Sequence, residues 1–204
     1  ILPSFADPAR WPQVWLPSLV KLVPHDDSHY VFPTAANPGV RVNTLWAVVD
    51  LDSSSGLQLL AATLKRIHET TASRAAVFVN SGVSPVSTQA AVIKRLLDCS
   101  GSSQDLDSLL TATETVIAAA ITANDASTTT QDTLLGSMPS QLREVANTCL
   151  KSKDFAEASM RVRDDVAFVS REMSVLPAKS ALLLNGAWYV PQASAPLFAA
   201  DIAS

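Results

Sequence analysis

The chain has 204 residues and a formal net charge of −4, and 48% of its residues are hydrophobic. This length suits one domain, or one domain with an appendage, and the composition is too apolar for a disordered chain. The slight negative charge, without any block of Lys and Arg, argues against a nucleic-acid partner. No membrane span is expected, because the uncharged stretches are either broken by Pro, Gly and Asn or shorter than the ~20 residues that a spanning helix needs.

The first 42 residues form a Pro-rich lead-in segment that contains seven of the 12 prolines. Proline removes a backbone donor and fixes φ, so this segment cannot be one continuous helix or a central strand. We predict an extended segment with one helical turn near residues 15–20, anchored to the main domain by Trp11 and Trp15. The chain opens on Ile1 without a basic, apolar leader, which predicts a piece of a longer protein with no visible signal peptide.

Alternating apolar runs open the main domain, which we place at residues 43–204. Residues 45–49 and 75–79 are wholly apolar, which is typical of strands covered on both faces. Between them, the serines at 53–55 offer helix caps, and apolar residues then recur at helical spacing as far as Ile67. A strand, a helix and a strand in this order predict a βαβ unit with parallel strands.

Residues 86–174 have the pattern of an all-helical insertion. The first of its helices is expected to end near Gly101, and the Thr-rich residues 127–133 predict a loop or a poor helix. Pro139 fits the first turn of a further helix. A long last helix follows, and it is expected to end before Pro177.

The sequence period then changes to that of strands. Two apolar runs, residues 181–184 and 187–190, flank Asn185-Gly186, a dipeptide that accepts the positive φ of a tight hairpin turn. The complete order is β-α-β, a large all-helical insertion and a closing β-hairpin. This order predicts an α/β, thioredoxin-like fold, with a last core helix beginning near residues 197–202.

The position of the reactive thiol decides whether such a domain can exchange disulfides. A thioredoxin-like oxidoreductase needs this thiol at the N-terminus of its first helix, where the helix dipole lowers the thiol pKa. Residues 50–56 occupy that place with the sequence DLDSSSG, which contains no sulfur. Neither Cys99 nor Cys149 belongs to a C-x-x-C motif or has a His nearby in sequence. We therefore expect a redox-inactive domain without a zinc site, unless one isolated cysteine acts unconventionally.

Asp50 and Asp52 raise a different hypothesis, because two carboxylates after a strand can hold a metal ion and a sugar nucleotide. The βαβ unit around them is too small for a nucleotide-binding domain. We therefore interpret Asp52 and the following serines as helix caps, and Asp50 as part of a polar turn. His68, late in the first helix, is interpreted as a partner for the C-terminal dipole of that helix.

The remaining polar clusters assign neither a metal site nor a catalytic residue. There is no nucleophile elbow and no Gly-rich phosphate loop in the sequence. One cluster in the lead-in segment could begin a metal site but has no further ligand close in sequence, so we interpret it as a solvated loop: His25, Asp26, Asp27 and His29.

The helix expected at residues 106–124 is unusual because its only charged residues are Asp107 and Glu114. A helix that is apolar all round is usually buried, so one interpretation is a helix covered on both sides. The alternative is a partly exposed apolar surface that binds another chain. For that alternative the leading contact residues are Leu109, Leu110, Val116 and Ile117.

Three segments resemble the folding-sensor region of the UDP-glucose:glycoprotein glucosyltransferases, most closely its third thioredoxin-like domain. They are NTLWAVVD at 43–50, SG followed by QLL within 55–60, and LNG through VP within 184–191. The resemblance implies a non-catalytic domain that helps to recognise misfolded glycoproteins in the lumen of the endoplasmic reticulum. It also implies contacts with neighbouring domains of the parent chain.

In that family, a separate domain transfers glucose from UDP-glucose with the help of a divalent cation such as Ca²⁺. The resemblance therefore implies no cofactor and no catalytic residue in this chain. It also implies an oxidising lumen, which permits a disulfide between Cys99 and Cys149, with two buried thiols as the alternative. The competing hypothesis for the whole chain is a thioredoxin-like thiol oxidoreductase with a helical insertion, similar to the periplasmic disulfide oxidoreductases, that uses an isolated cysteine.

Overall fold

The structure, a computed structural model, describes residues 30–31, 43–69, 73–100, 106–123, 125–152, 154–184 and 187–189. The strands in these ranges are Tyr30–Val31 (β1), Asn43–Val49 (β2), Ser73–Val79 (β3), Ala181–Leu184 (β4) and Ala187–Tyr189 (β5). The helices are Ser54–Glu69 (α1), Thr88–Ser100 (α2), Leu106–Ala123 (α3), Gln131–Gly136 (α4), Ser140–Ser152 (α5) and Phe155–Glu172 (α6).

The five strands form one mixed sheet in the order β1-β3-β2-β4-β5. Strands β2 and β3 are parallel, and their register runs from Asn43 opposite Ser73 to Val49 opposite Val79. Strand β4 lies antiparallel to β2, and β5 pairs antiparallel with β4. The predicted βαβ unit, the helical insertion and the closing hairpin are therefore confirmed, and so is the thioredoxin-like fold class.

The Pro-rich lead-in segment contributes the edge strand β1. Its two residues pair antiparallel with β3, with Tyr30 opposite Ala76 and Val31 opposite Ala75. A short edge strand tolerates neighbouring prolines, because one side of its backbone needs no partner in the sheet. The remaining residues of the segment lie outside the described residues, including Trp11, Trp15 and the His25–His29 cluster, and so does the helix expected at 197–202. The boundary at residue 42 stays a prediction.

Side chains of β2 and β3 alternate between two buried faces, as their apolar runs predict. One face carries Leu45, Ala47 and Val49 and packs in the larger core with α1, α2 and α3. The opposite face carries Trp46, Val48 and Phe78 in a smaller core, which contains Val169 and Met173 from the end of α6 and the segment after it.

Aromatic stacking extends this smaller core towards α6. The ring of Phe78 is stacked on Trp46 at a centroid distance of 6.1 Å and on Phe168 at 5.3 Å. Such ring pairs add about 0.5–1.5 kcal/mol beyond their area burial. Helix α6 is therefore fixed against the sheet near its C-terminal end.

Helix α3 is the centre of the insertion and packs against α1, α2, α4 and α5. Among the described residues it is also the one helix long and apolar enough to cross a membrane, a criterion that a buried core helix equally meets. Its buried face includes all four expected contact residues, each at most 2% exposed: Leu109, Leu110, Val116 and Ile117.

The alternative of a partly exposed apolar surface at these residues is therefore wrong, because the surrounding helices cover them. The outward face of α3 instead carries small residues, of which Ala118 and Thr122 are exposed. The hydroxyl groups of Thr115 and Thr122 donate to the carbonyl oxygens of Thr111 and Ala118, one turn earlier. This face thus has few charges without presenting large apolar side chains.

A disulfide joins the last turn of α2 to α5. Cys99 and Cys149 are bonded, with their Cα atoms 6.1 Å apart and a sequence separation of 50. Both residues are 7% exposed and belong to the larger core. The bond therefore lies within the helical insertion.

Candidate functional site

The loops at the carboxyl ends of β2 and β3 form the candidate site, together with the segment that leads into β4. Ser53 caps α1 there: its hydroxyl oxygen accepts from the Gly56 backbone N–H at 3.1 Å and donates to the Asp50 carbonyl oxygen at 3.0 Å. A Cβ atom at Gly56 would lie 2.0 Å from that carbonyl oxygen, so this approach requires glycine. Helix α1 thus begins on a serine cap at the place where an oxidoreductase holds its thiol.

Asp52 does not cap α1, so this part of the sequence interpretation is wrong, whereas the predicted serine cap is confirmed at Ser53. Its carboxylate instead accepts hydrogen bonds from the hydroxyl groups of Ser81 and Ser87, in the loop after β3. The cap position passes to Ser53, whose shorter side chain reaches the free backbone N–H of the first turn. Asp52 therefore ties the start of α1 to the segment before α2.

Asp50 is buried in the polar turn, as the sequence predicts. Its backbone N–H donates to the Ser180 hydroxyl at 2.9 Å, and its carboxylate accepts from the Asp52 backbone N–H at 3.2 Å. Burial raises the pKa of Asp50, against the hydrogen bonds from Asp52 and Ser53, which lower it. In the part of the chain that the structure describes, no three His, Cys, Asp or Glu side chains converge as metal ligands.

Asn80 holds the segment before β4 in place. Its side-chain amide nitrogen donates to the carbonyl oxygens of Leu176 at 2.7 Å and Lys179 at 2.8 Å, and its backbone carbonyl oxygen accepts from the Ala178 N–H. Ala178 has φ of 59°, a left-handed conformation that costs an alanine roughly 1–2 kcal/mol. A Cβ atom at Gly82 would lie only 2.5 Å from the Ala178 Cβ. The two loops therefore touch.

Beside these loops lies an apolar groove with a volume of about 460 Å³. It separates residues 81–86 from one face of α6, and Pro177 closes its third side. Its apolar walls are formed by Val83, Val86, Val162, Val166 and Ala167. The described residues of this groove therefore offer serine hydroxyl groups for hydrogen bonding and apolar side chains for hydrophobic contact.

A buried ionic network positions α6 as one wall of this groove. The Lys94 ammonium lies 3.2 Å from Asp98 and 3.3 Å from Asp165, and Asp165 also accepts from the Val79 backbone N–H at 3.0 Å. Burial alone lowers the pKa of Lys94, but the charges of Asp165 and Asp98 outweigh it and raise this pKa. Burial raises the pKa of Asp98, against the charges of Lys94 and Arg161. The network links α2, α6 and the end of β3.

His68 is a residue of α1, and its side chain faces two carboxylates of α3 as well as the end of its own helix. Its Nδ1 lies 3.1 Å from Glu114, and its Nε2 lies 3.7 Å from Asp107. Burial raises the pKa of Glu114, while His68 lowers it. The sequence interpretation of His68 as a dipole partner missed its contacts with Glu114 and Asp107, because these contacts depend on how two helices pack.

The sequence of the chain matches a known protein family. A family model described as a thioredoxin-like domain matches residues 25–202. No curated protein matches the chain at a significant level of sequence similarity.

Solved structures share the fold at low sequence identity. ScsC from Proteus mirabilis in a transitional conformation has a TM-score of 0.58 and 10% identity, with 92% of this chain and 75% of that chain covered. MdbA, a thiol-disulfide oxidoreductase from Actinomyces oris, has a TM-score of 0.53 and 14% identity over 85% and 84% of the two chains.

The Trx3 domain of UGGT in its detergent-unbound form has a TM-score of 0.47 and 14% identity over 87% and 93% of the two chains. The matches to ScsC and MdbA, at 10% and 14% identity, show a shared fold and leave function open. The family model, in contrast, spans most of the 204 residues. The chain therefore belongs to the thioredoxin-like domain family.

Proposed function

We propose that this chain is a non-catalytic thioredoxin-like domain of a UDP-glucose:glycoprotein glucosyltransferase and contributes to the recognition of misfolded glycoproteins. The observation that carries the proposal is the start of α1, where Ser53 provides the cap and no thiol is present. The link to this enzyme family rests on the three sequence segments at 43–50, 55–60 and 184–191.

The cysteines support a structural role. Cys99 and Cys149 are bonded to each other and are almost completely buried between α2 and α5. A reactive cysteine is instead partly exposed in an electropositive environment. A structural disulfide also suits an oxidising compartment, which supports a location in the lumen of the endoplasmic reticulum.

Recognition of misfolded clients requires apolar surface, since exposed apolar groups are what unfolded chains share. Hydrophobic contact is non-directional, and it contributes about 25 cal/mol per Å² of buried area for any client sequence. Glucose transfer from UDP-glucose, with a divalent cation such as Ca²⁺, is assigned to a separate domain of the parent enzyme. Neighbouring domains of that parent chain are further partners of this domain.

Thiol-disulfide exchange is the second candidate function, because MdbA shares this fold and is described as a thiol-disulfide oxidoreductase. An insulin-reduction assay with the 204-residue chain separates the two candidates. The proposal expects no turnover above a Cys99→Ala/Cys149→Ala variant, whereas turnover that this variant abolishes would establish the oxidoreductase instead.

A further inference from the structure

We infer that the apolar groove between residues 81–86 and α6 binds an extended, apolar segment of an unfolded polypeptide that is neutral or acidic. This inference rests on the proposed function and adds the contact surface and the kind of segment that occupies it. This groove does not include α3, the helix on which the sequence analysis placed the alternative contact surface. The large apolar residues of α3 are buried in the core.

The position of the groove in the sheet favours a ligand site. In open α/β sheets, ligands bind outside the carboxyl ends of the strands, where the chain connections diverge to opposite faces. After β2 the chain crosses through α1 to β3 on one side of β2, and β4 lies on the other side. Residues 81–86, which line the groove, directly follow β3.

Of the large exposed apolar side chains among the described residues, Val83 lines the groove, and the other three lie on the segments that form its walls. Val83 is 51% exposed, and Leu176, next to the lining Pro177, is 68% exposed. On α6, Phe155 is 43% exposed and Met160 is 57% exposed. Exposed apolar side chains gathered in one place mark an interaction site more clearly than the same residues scattered singly.

The helical period places Phe155 and Met160 towards the two edges of the α6 face that lines the groove, because five residues turn a helix by about 140°. Phe155 precedes the lining Val162 by seven residues, and Met160 precedes the lining Ala167 by seven, so each pair shares a helix face. From Phe155 to the lining Ser170 the helix rises about 22 Å, at about 1.5 Å per residue. An extended strand covers that distance with about six or seven residues, at about 3.3 Å each.

The shape and charge of the groove select among apolar occupants. A volume of about 460 Å³ is at the lower end of ligand pockets, which holds a few side chains of an extended segment and not a helix about 10–12 Å wide. Arg163 is the one charged side chain among its described lining residues. A Lys or Arg beside this guanidinium would be repelled, whereas an acidic or neutral residue is accepted.

Two fluorescein-labelled peptides of seven residues test this inference by anisotropy titration against the 204-residue chain. Both alternate leucine and serine; one carries a central glutamate and the other a central lysine. We expect the glutamate peptide to bind at least tenfold more tightly. Val83→Asp and Ala167→Asp, at exposed groove positions, should each weaken its binding at least tenfold, because a carboxylate resists desolvation against an apolar ligand.

Ala118→Asp is the matched control, since Ala118 is exposed on α3 and does not line the groove. This variant should bind both peptides as the unaltered chain does. Arg163→Glu should reverse the preference between the two peptides, and this result supports the inference even where an aspartate variant disturbs the fold.

Three outcomes would overturn the inference: equal losses in the groove variants and the control, an unchanged peptide preference in folded Arg163→Glu, or a dimer that Val83→Asp dissociates. The last would assign the groove to a second copy of this chain. If the groove variants bind an unfolded glycoprotein as well as the unaltered chain does, the groove is not the contact surface, but the proposed function stands. If the unaltered chain binds neither the peptides nor the unfolded glycoprotein, both the groove inference and the proposed function are wrong.

Discussion

Lys94 shows how single residues set the geometry of the groove. Its side chain is 2% exposed, and its ammonium group pairs with one carboxylate from its own helix, Asp98, and one from α6, Asp165. Asp165 in turn accepts the backbone N–H of Val79, the last residue of β3. One side chain therefore couples the helix that forms one wall of the groove to the strand that leads into the other wall.

Lys94→Met should lower the free energy of unfolding by about 3–5 kcal/mol, because it removes the ammonium group that pairs with the buried carboxylates of Asp98 and Asp165. Denaturant unfolding measures this change. Lys151→Met is the control, since Lys151 is exposed on α5, and it should change the free energy by no more than about 0.5 kcal/mol. Equal stability of the two variants would show that the network contributes nothing.

The contact between α1 and α3 is the element-scale feature with a pH dependence. His68 Nδ1 lies 3.1 Å from the Glu114 carboxylate. Burial raises the pKa of this half-buried carboxyl above its ordinary value, although His68 lowers it in part. Folding therefore favours the protonated form of Glu114. Its contribution to stability is fully present at low pH and is lost as the pH rises through the folded-state pKa.

His68→Gln should raise the pKa of Glu114 further, because Glu114 loses the hydrogen bond and the charge interaction with His68, both of which lower this pKa. NMR titration of the Glu114 carboxyl measures this directly. Compared with His68→Gln/Glu114→Gln, the single variant should lose stability as the pH rises through the Glu114 pKa. A Glu114 pKa that His68→Gln leaves unchanged or lowers would contradict the assignment of the ion pair.

The disulfide is the second element-scale feature, since it joins α2 to α5 across 50 residues of sequence. In the chain-entropy model, closing a loop of this length stabilises the folded state by about 4 kcal/mol. Cys99→Ala/Cys149→Ala should lose a similar amount in denaturant unfolding. The unaltered chain in a reducing buffer should match this variant. A reductant without effect on stability, or two labelled thiols after alkylation of the unreduced chain, would exclude the bond.

At the scale of the whole molecule, the sequence predicts the architecture because each layer leaves a local pattern. Residues 45–49 are apolar without alternation because both faces of β2 are covered, and the change of period after residue 174 marks the return to the sheet. The cap of α1 could also be predicted in kind, although Ser53 and not Asp52 provides it.

Features that depend on packing between distant segments could not be predicted in the same way. Helical spacing shows which residues of α3 share a face, but it does not show that Leu109 and Val116 lie on the covered one. The contacts of Asp52 with Ser81 and Ser87 join loops that are 29 and 35 residues apart in sequence. The groove is missed for the same reason, since one wall comes from the start of the helical insertion and the other from its last helix.

The most direct test of a recognition domain compares two states of one client. A glycoprotein with a single defined glycan is labelled and titrated with the 204-residue chain, once in its native form and once reduced, alkylated and unfolded. We expect saturable binding of the unfolded form and at least tenfold weaker binding of the native form. Equal binding of both forms, or no binding of the unfolded form, would contradict this expectation.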